Sequence, residues 1–174
     1  MKTFLILLST MIFSLASAKS VYDFELPQSN DKKIQLSKYK NNVLLIVNIA
    51  TRCGYTGQLG TLEKLYQKYK AKGFMIVGVP SNEFMGQSPE NNKEIVNICQ
   101  REYGVTFPIG VKQKVKGSET NPLYKYLKGQ TGNKEIGWNF EKFLISKEGK
   151  VVKRFKSSVE PLSSDVTKAI ESLL

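Results

Sequence analysis

Two apolar runs bracket a stretch with helical spacing, and this pattern organises the whole chain. Residues 43–50 (Val43-Leu44-Leu45-Ile46-Val47-Asn48-Ile49-Ala50) and residues 74–79 are nearly continuous in apolar character. That predicts strands covered on both faces. Between them Leu59, Leu62, Leu65, Tyr66 and Tyr69 share one face of a helix that begins near Tyr55 or Gly57, with Glu63, Lys64, Gln67, Lys68 and Lys70 facing out. Gly73 closes that helix. A strand, a helix and a strand within about 35 residues form a βαβ unit, which crosses over right-handed and pairs in parallel.

Weaker patterns fill in the rest. Residues 21–26 alternate, with Tyr22, Phe24 and Leu26 on one face and Asp23 and Glu25 on the other. After the turn-forming Gln28-Ser29-Asn30-Asp31, residues 33–36 alternate again, which reads as a hairpin laid over the core. Residues 80–89 form a polar loop at the carboxyl end of a parallel strand, where α/β folds place their chemistry. Residues 90–103 read as a helix with Ile95, Val96, Ile98, Cys99 and Tyr103 roughly on one face and Gly104 at its end; residues 105–107 read as a short extended piece. Asn121-Pro122 is an N-cap followed by a first-turn proline, opening a helix that stops at Gly129. Residues 140–146 and 151–155, joined by residues 147–150, read as a β-hairpin. Ser163 or Ser164 caps a final helix. The order predicts an α/β, thioredoxin-like fold with an N-terminal β-hairpin extension and a central mixed sheet flanked by helices. In such folds the loop after the first central strand, residues 50–57, presents a reactive cysteine.

Residues 1–18 stand apart. A short basic start, an apolar stretch over residues 4–15 and Ala16-Ser17-Ala18 make the pattern of a signal peptide cleaved near Ala18. The stretch is shorter than the ~20 residues a membrane span needs. The expectation is an exported protein, periplasmic or secreted, with a single domain over residues 19–174. The formal charge of +11 falls to +10 on cleavage, because Lys2 is the only charged residue removed. The lysines are scattered, which points to a solvated basic surface rather than to nucleic-acid binding, with weak attraction to an anionic membrane surface as a further expectation.

The chain has two cysteines and no histidine. Cys53 lies where a strand hands over to a helix start, and the helix dipole and unpaired backbone N–H groups there stabilise a thiolate. A Cys–His pair is impossible, so any reactivity of Cys53 must come from dipoles and hydrogen-bond donors. An exported chain with two cysteines also admits a structural Cys53–Cys99 disulfide, which would stabilise by about 4 kcal/mol in the chain-entropy picture.

Three blocks carry a resemblance. Asn48-Ile49-Ala50-Thr51-Arg52-Cys53-Gly54-Tyr55-Thr56, Pro80-Ser81-Asn82-Glu83-Phe84-Met85-Gly86-Gln87-Ser88-Pro89 and Trp138-Asn139-Phe140-Glu141-Lys142-Phe143 occur in the order and at the spacing of the glutathione peroxidase family, which the sequence resembles across nearly all of residues 19–174. The resemblance implies a catalytic tetrad. Cys53 takes the place of the peroxidatic residue, and Gln87, Trp138 and Asn139 match the other three members. Carboxamides and an indole N–H are uncharged donors, suited to a thiolate and to a developing oxyanion. Cys99 lies in a segment similar to the helix that carries the resolving cysteine in thioredoxin-dependent members, although a buried helical cysteine is the plain alternative. Cys99 could reach Cys53 only if its helix unwound or shifted, since a disulfide needs Cα atoms within ~7 Å.

The sequence departs from the family at Ser81, where many members have Cys, and at Glu83, Met85 and Ser88. Arg52 either supports the thiolate or points to solvent; Tyr55 and Thr56 are expected to be scaffold, and Glu141 and Lys142 a surface pair. The implied activity is reduction of hydrogen peroxide and organic or lipid hydroperoxides, with a thioredoxin-like protein or a low-molecular-weight thiol as reductant. No cofactor and no metal are implied, and the chain is expected to be a monomer. The competing readings are a non-catalytic domain with a Cys53–Cys99 bridge and a disulfide oxidoreductase; the absence of a Cys-x-x-Cys pair argues against the second.

Overall fold

A computed structural model describes residues 20–174; the leader expected over residues 1–18 lies outside them. Strands β1 (Glu25–Pro27) and β2 (Lys33–Gln35) form an antiparallel hairpin with Leu26 opposite Ile34. Then follow β3 (Val43–Ile49), α1 (Gln58–Tyr69), β4 (Phe74–Pro80), α2 (Asn92–Tyr103), α3 (Pro122–Gly129), β5 (Lys142–Ile145), β6 (Val151–Phe155) and α4 (Ser164–Glu171).

The central sheet has the order β4-β3-β5-β6. β3 pairs parallel with β4, Val47 opposite Gly78, and antiparallel with β5, Leu45 opposite Leu144. This is the mixed sheet of a thioredoxin-like fold. Every residue of β3 is buried, as its unbroken apolar run requires of a strand with neighbours on both sides and cover on both faces. One apolar layer joins Val43, Leu45 and Val47 to α1, α2 and α4 through Leu62, Ile95, Cys99 and Ile170. The other joins Leu44 and Ile46 to α3 and the N-terminal hairpin through Leu123, Leu26 and Ile34.

Several expected boundaries shift, each for a local reason. Residues 21–23 are a 3-10 turn, not strand. Ser20 and Asp23 close a capping box around it, so strand pairing begins only at Glu25. Tyr22 and Leu26 still face inward and Asp23 and Glu25 outward. α2 starts at Asn92 rather than Glu90, because the Asn91 side chain accepts from the Glu94 N–H and caps it. β5 starts at Lys142 rather than residue 140, since Phe140 adopts a left-handed φ of 65° that no strand residue takes. Residues 105–107 form no strand; the nearest pairing is an isolated bridge from Ile109 to Gly78. Among the described residues no helix is long and apolar enough to cross a membrane.

Candidate active site

Cys53 sits in the turn between β3 and α1 and is 8% exposed. α1 begins at Gln58 with Gly57 as its N-cap, so the cysteine precedes the helix instead of opening it. The turn is built by Thr56. Its hydroxyl accepts from the Cys53 N–H at 2.9 Å and lies 3.1 Å from the Ala50 carbonyl and 2.8 Å from that of Cys53. This holds the backbone so that the Tyr55 N–H points at the Cys53 Sγ, 3.5 Å away. Tyr55 and Thr56 are scaffold, as expected.

The second block is stitched to the first through main-chain groups. The Gln87 carbonyl accepts from the Thr51 N–H at 3.2 Å and the Arg52 N–H at 2.9 Å, the two residues before Cys53. Gln87 is delivered by a tight turn in which its N–H meets the Phe84 carbonyl at 3.3 Å. Met85 and Gly86 at the tip have φ of 55° and 67°, the mirror-image turn geometry that glycine adopts freely and methionine does not.

The third block is fixed by Asn48, a fully buried polar residue in an otherwise apolar strand. Its amide donates to the Trp138 carbonyl at 3.0 Å, and its Oδ1 accepts from the Glu141 N–H at 2.9 Å. Asn139 Nδ2 then donates to Gln87 Oε1 at 2.9 Å. The Gln87 amide N–H groups are left as donors for a ligand. Trp138 is half-buried, stacks at 54° on Phe84 with centroids 5.6 Å apart, and packs on the same apolar cluster as Cys53. Hydrogen bonds thus tie to one another the three loops that carry Cys53, Gln87, Trp138 and Asn139. A cleft of about 700 Å³ opens beside it, walled by Tyr55, Trp138, Lys134, Lys156 and Ser157.

Two residues differ from expectation, and Arg52 gains a partner that was not expected. Arg52 is largely exposed, one of its two expected placements, and its Nε donates to Glu90 at 2.6 Å; the Thr51 hydroxyl donates to the same carboxylate at 2.5 Å. Glu141 and Lys142 are not a surface pair. Glu141 is buried in an ion pair with Arg154 at 2.6 Å. Lys142 is fully buried, with Nζ donating to the carbonyls of Ser157 at 3.2 Å and Val159 at 2.6 Å. Burial pushes its pKa down to about 8, against the nearby carboxylates of Glu160 and Glu141.

Cys99 lies in the middle of α2 with no solvent exposure. Burial pushes its thiol up to about 12, and the Glu102 carboxylate adds to the rise against a backbone hydrogen bond. Cys53 and Cys99 are both free thiols, so no structural bridge joins them. Among the described residues no group of three or more potential ligands is placed to hold a metal.

Comparison with known proteins bears on this geometry. The family model described as glutathione peroxidase matches residues 21–128, well over half the chain. The chain belongs to the glutathione peroxidase family. It is 46% identical over 158 residues to the glutathione peroxidase homolog BsaA of Halalkalibacterium halodurans, covering 89% of this chain and 99% of the relative. It is 46% identical over 159 residues to glutathione peroxidase-like peroxiredoxin 2 of Saccharomyces cerevisiae, covering 89% and 97%. Among solved structures it resembles T. cruzi GPX1, with a TM-score of 0.70 and 36% identity over 89% of this chain and 96% of that one. A thiol:disulfide interchange protein DsbE from Chlorobium tepidum, at 20% identity and a TM-score of 0.61, shares the fold. The family match reaches the Cys53 and Gln87 blocks; the Trp138 block lies beyond its last residue, and the structure ties it to the others through Asn48 and Asn139.

Proposed function

We propose that the chain is a thiol peroxidase that reduces hydrogen peroxide and organic or lipid hydroperoxides through Cys53. The Cys53 thiolate attacks one peroxide oxygen. The O–O bond breaks, the alcohol or water leaves with a proton, and Cys53 becomes a sulfenic acid. Gln87, Trp138 and Asn139 supply uncharged donors to the sulfur and to the departing oxygen. Cys99 then attacks the Cys53 sulfur; an S–S bond forms, the S–O bond breaks and the oxygen leaves as water. A thioredoxin-like dithiol restores both thiols by exchange. The proposed setting is outside the cytoplasm, after cleavage near Ala18, as a monomer whose basic surface permits weak contact with anionic membranes.

The observation that carries this reading is the Asn139–Gln87 hydrogen bond together with the two N–H bonds from Thr51 and Arg52 to Gln87, which join all three blocks around Cys53. Peroxide consumption by the reduced wild type, Cys53→Ser and Cys99→Ser tests it, with a thioredoxin-type donor present. Wild type turns over, Cys53→Ser does not, and Cys99→Ser gives one equivalent and stalls. Equal rates for wild type and Cys53→Ser end the enzymatic reading, and full turnover by Cys99→Ser ends the resolving role. Comparing hydrogen peroxide, an alkyl hydroperoxide and a phospholipid hydroperoxide then ranks the substrates.

A further inference from the structure

Glu63 projects from α1 on the helix face that the sequence pattern assigned to solvent, yet it is only 8% exposed. The reason lies across a helix gap. Its Oε2 accepts from the Thr106 N–H at 2.8 Å and its Oε1 from the Thr106 hydroxyl at 2.7 Å. Gln67, one turn along α1, donates both to Glu63 and, at 2.9 Å, to the Thr106 hydroxyl. A carboxylate, a carboxamide and a hydroxyl thus close a small ring of hydrogen bonds between α1 and the segment that follows α2.

That segment is the end-stop of the helix carrying Cys99. Gly104 turns the chain left-handed at φ 67°, its N–H bonds to Gln100, and the Val105 N–H bonds to the carbonyl of Cys99 itself at 3.1 Å. Val105 and Phe107, on either side of Thr106, are buried in the same cluster as Cys99. Cys99 cannot leave its turn of helix while Val105 holds its carbonyl, and Val105 cannot withdraw while Glu63 holds Thr106.

We propose that Glu63 is a positioning residue for the resolution step: through Thr106 and Val105 it latches α2 in the closed form in which Cys99 is fully buried. The inference rests on the reading of Cys99 as the resolving thiol. The latch bonds exist in the closed form and are broken in the open one, so they slow the opening without touching the reaction of Cys53 with peroxide. Their chemical consequence is a longer-lived Cys53 sulfenic acid. A second hydroperoxide can then oxidise that sulfur to a sulfinic acid, transferring an oxygen atom and leaving as alcohol or water. Glu63 therefore sets how readily the enzyme is overoxidised at high peroxide.

The chain has a single tryptophan, Trp138, which sits in the site and reports both steps by its fluorescence. Reduced wild type, Glu63→Gln, Thr106→Val and Cys99→Ser are each mixed with hydrogen peroxide in a stopped-flow instrument. The first phase scales with peroxide concentration and keeps the same second-order rate constant in wild type, Glu63→Gln and Thr106→Val. The second phase, independent of peroxide, is resolution. It accelerates roughly tenfold when a charge-assisted latch bond is lost, and mass spectrometry at high peroxide shows correspondingly less sulfinic acid. A second phase unchanged or slowed in either folded variant, with Cys99→Ser lacking that phase, overturns the latch. A second phase that persists in Cys99→Ser overturns the resolving role instead. The two substitutions lie on different elements, so a folding defect in one leaves the other to decide.

Discussion

Lys142→Met isolates the buried ammonium on β5. In the folded chain the Lys142 side chain is fully buried, and burial lowers its pKa from 10.5 to about 8. A lowered lysine pKa means that the charged form is disfavoured by folding. Below about 8 the full cost is present; between about 8 and 10.5 the unfolded chain still holds a proton that the folded chain has released, so stability rises with pH. The depression corresponds to about 3 kcal/mol at neutral pH. Between pH 7 and pH 9 about 1 kcal/mol of that cost disappears. Other lysines and tyrosines titrate nearby, so the quantity to measure is a difference. Urea unfolding of wild type and Lys142→Met at both pH values gives the stability gap between them. The gap moves by about 1 kcal/mol in favour of wild type on going from pH 7 to pH 9. A gap that stays constant shows that Lys142 does not hold a depressed, buried charge beside the Ser157 and Val159 carbonyls.

Alkylation of the folded, reduced chain with iodoacetamide at pH 8 modifies Cys53 and spares Cys99, which is fully buried and pushed up to about 12; peptide mass mapping with and without urea checks this, and equal labelling of the two contradicts it. Met85→Gly raises the urea midpoint by the equivalent of ~1 kcal/mol, because Met85 is held at φ 55° with its side chain 83% exposed and so without packing to lose. Arg154→Met leaves the Glu141 carboxylate buried without its partner and frees the carbonyls of Lys134 and Glu135, costing about 3–5 kcal/mol in thermal or urea unfolding.

The sheet was legible because β3 and β4 are apolar on both faces and α1 is apolar on one, patterns set by burial alone. The short elements were less so. Residues 21–23 alternate like a strand, but Ser20 and Asp23 offer the backbone a local closure that wins over pairing. The family was also readable, since Cys53, Gln87, Trp138 and Asn139 lie in recognisable blocks. The wiring of the site was not. Asn48 is the one polar residue in an apolar strand, and that interruption was the signal for a buried anchor. Glu63, Glu141 and Lys142 look like surface charges in one dimension; their partners Thr106, Arg154 and the Ser157 and Val159 carbonyls come from distant segments, and only the folded chain shows that they are satisfied inside.

The donors proposed to serve Cys53 have one more consequence. The carboxamides of Gln87 and Asn139 and the indole of Trp138 neither gain nor lose protons in water at ordinary acidity. A cysteine enzyme that relies on an imidazole inherits that imidazole's titration, and with it a narrow working range. Under the proposed function, the hydrogen-bonding capacity these side chains offer a peroxide is the same in an acidified medium as in a neutral one. The chain gives up the power of a nearby base and gains a site whose donor pattern is indifferent to the acidity of its surroundings.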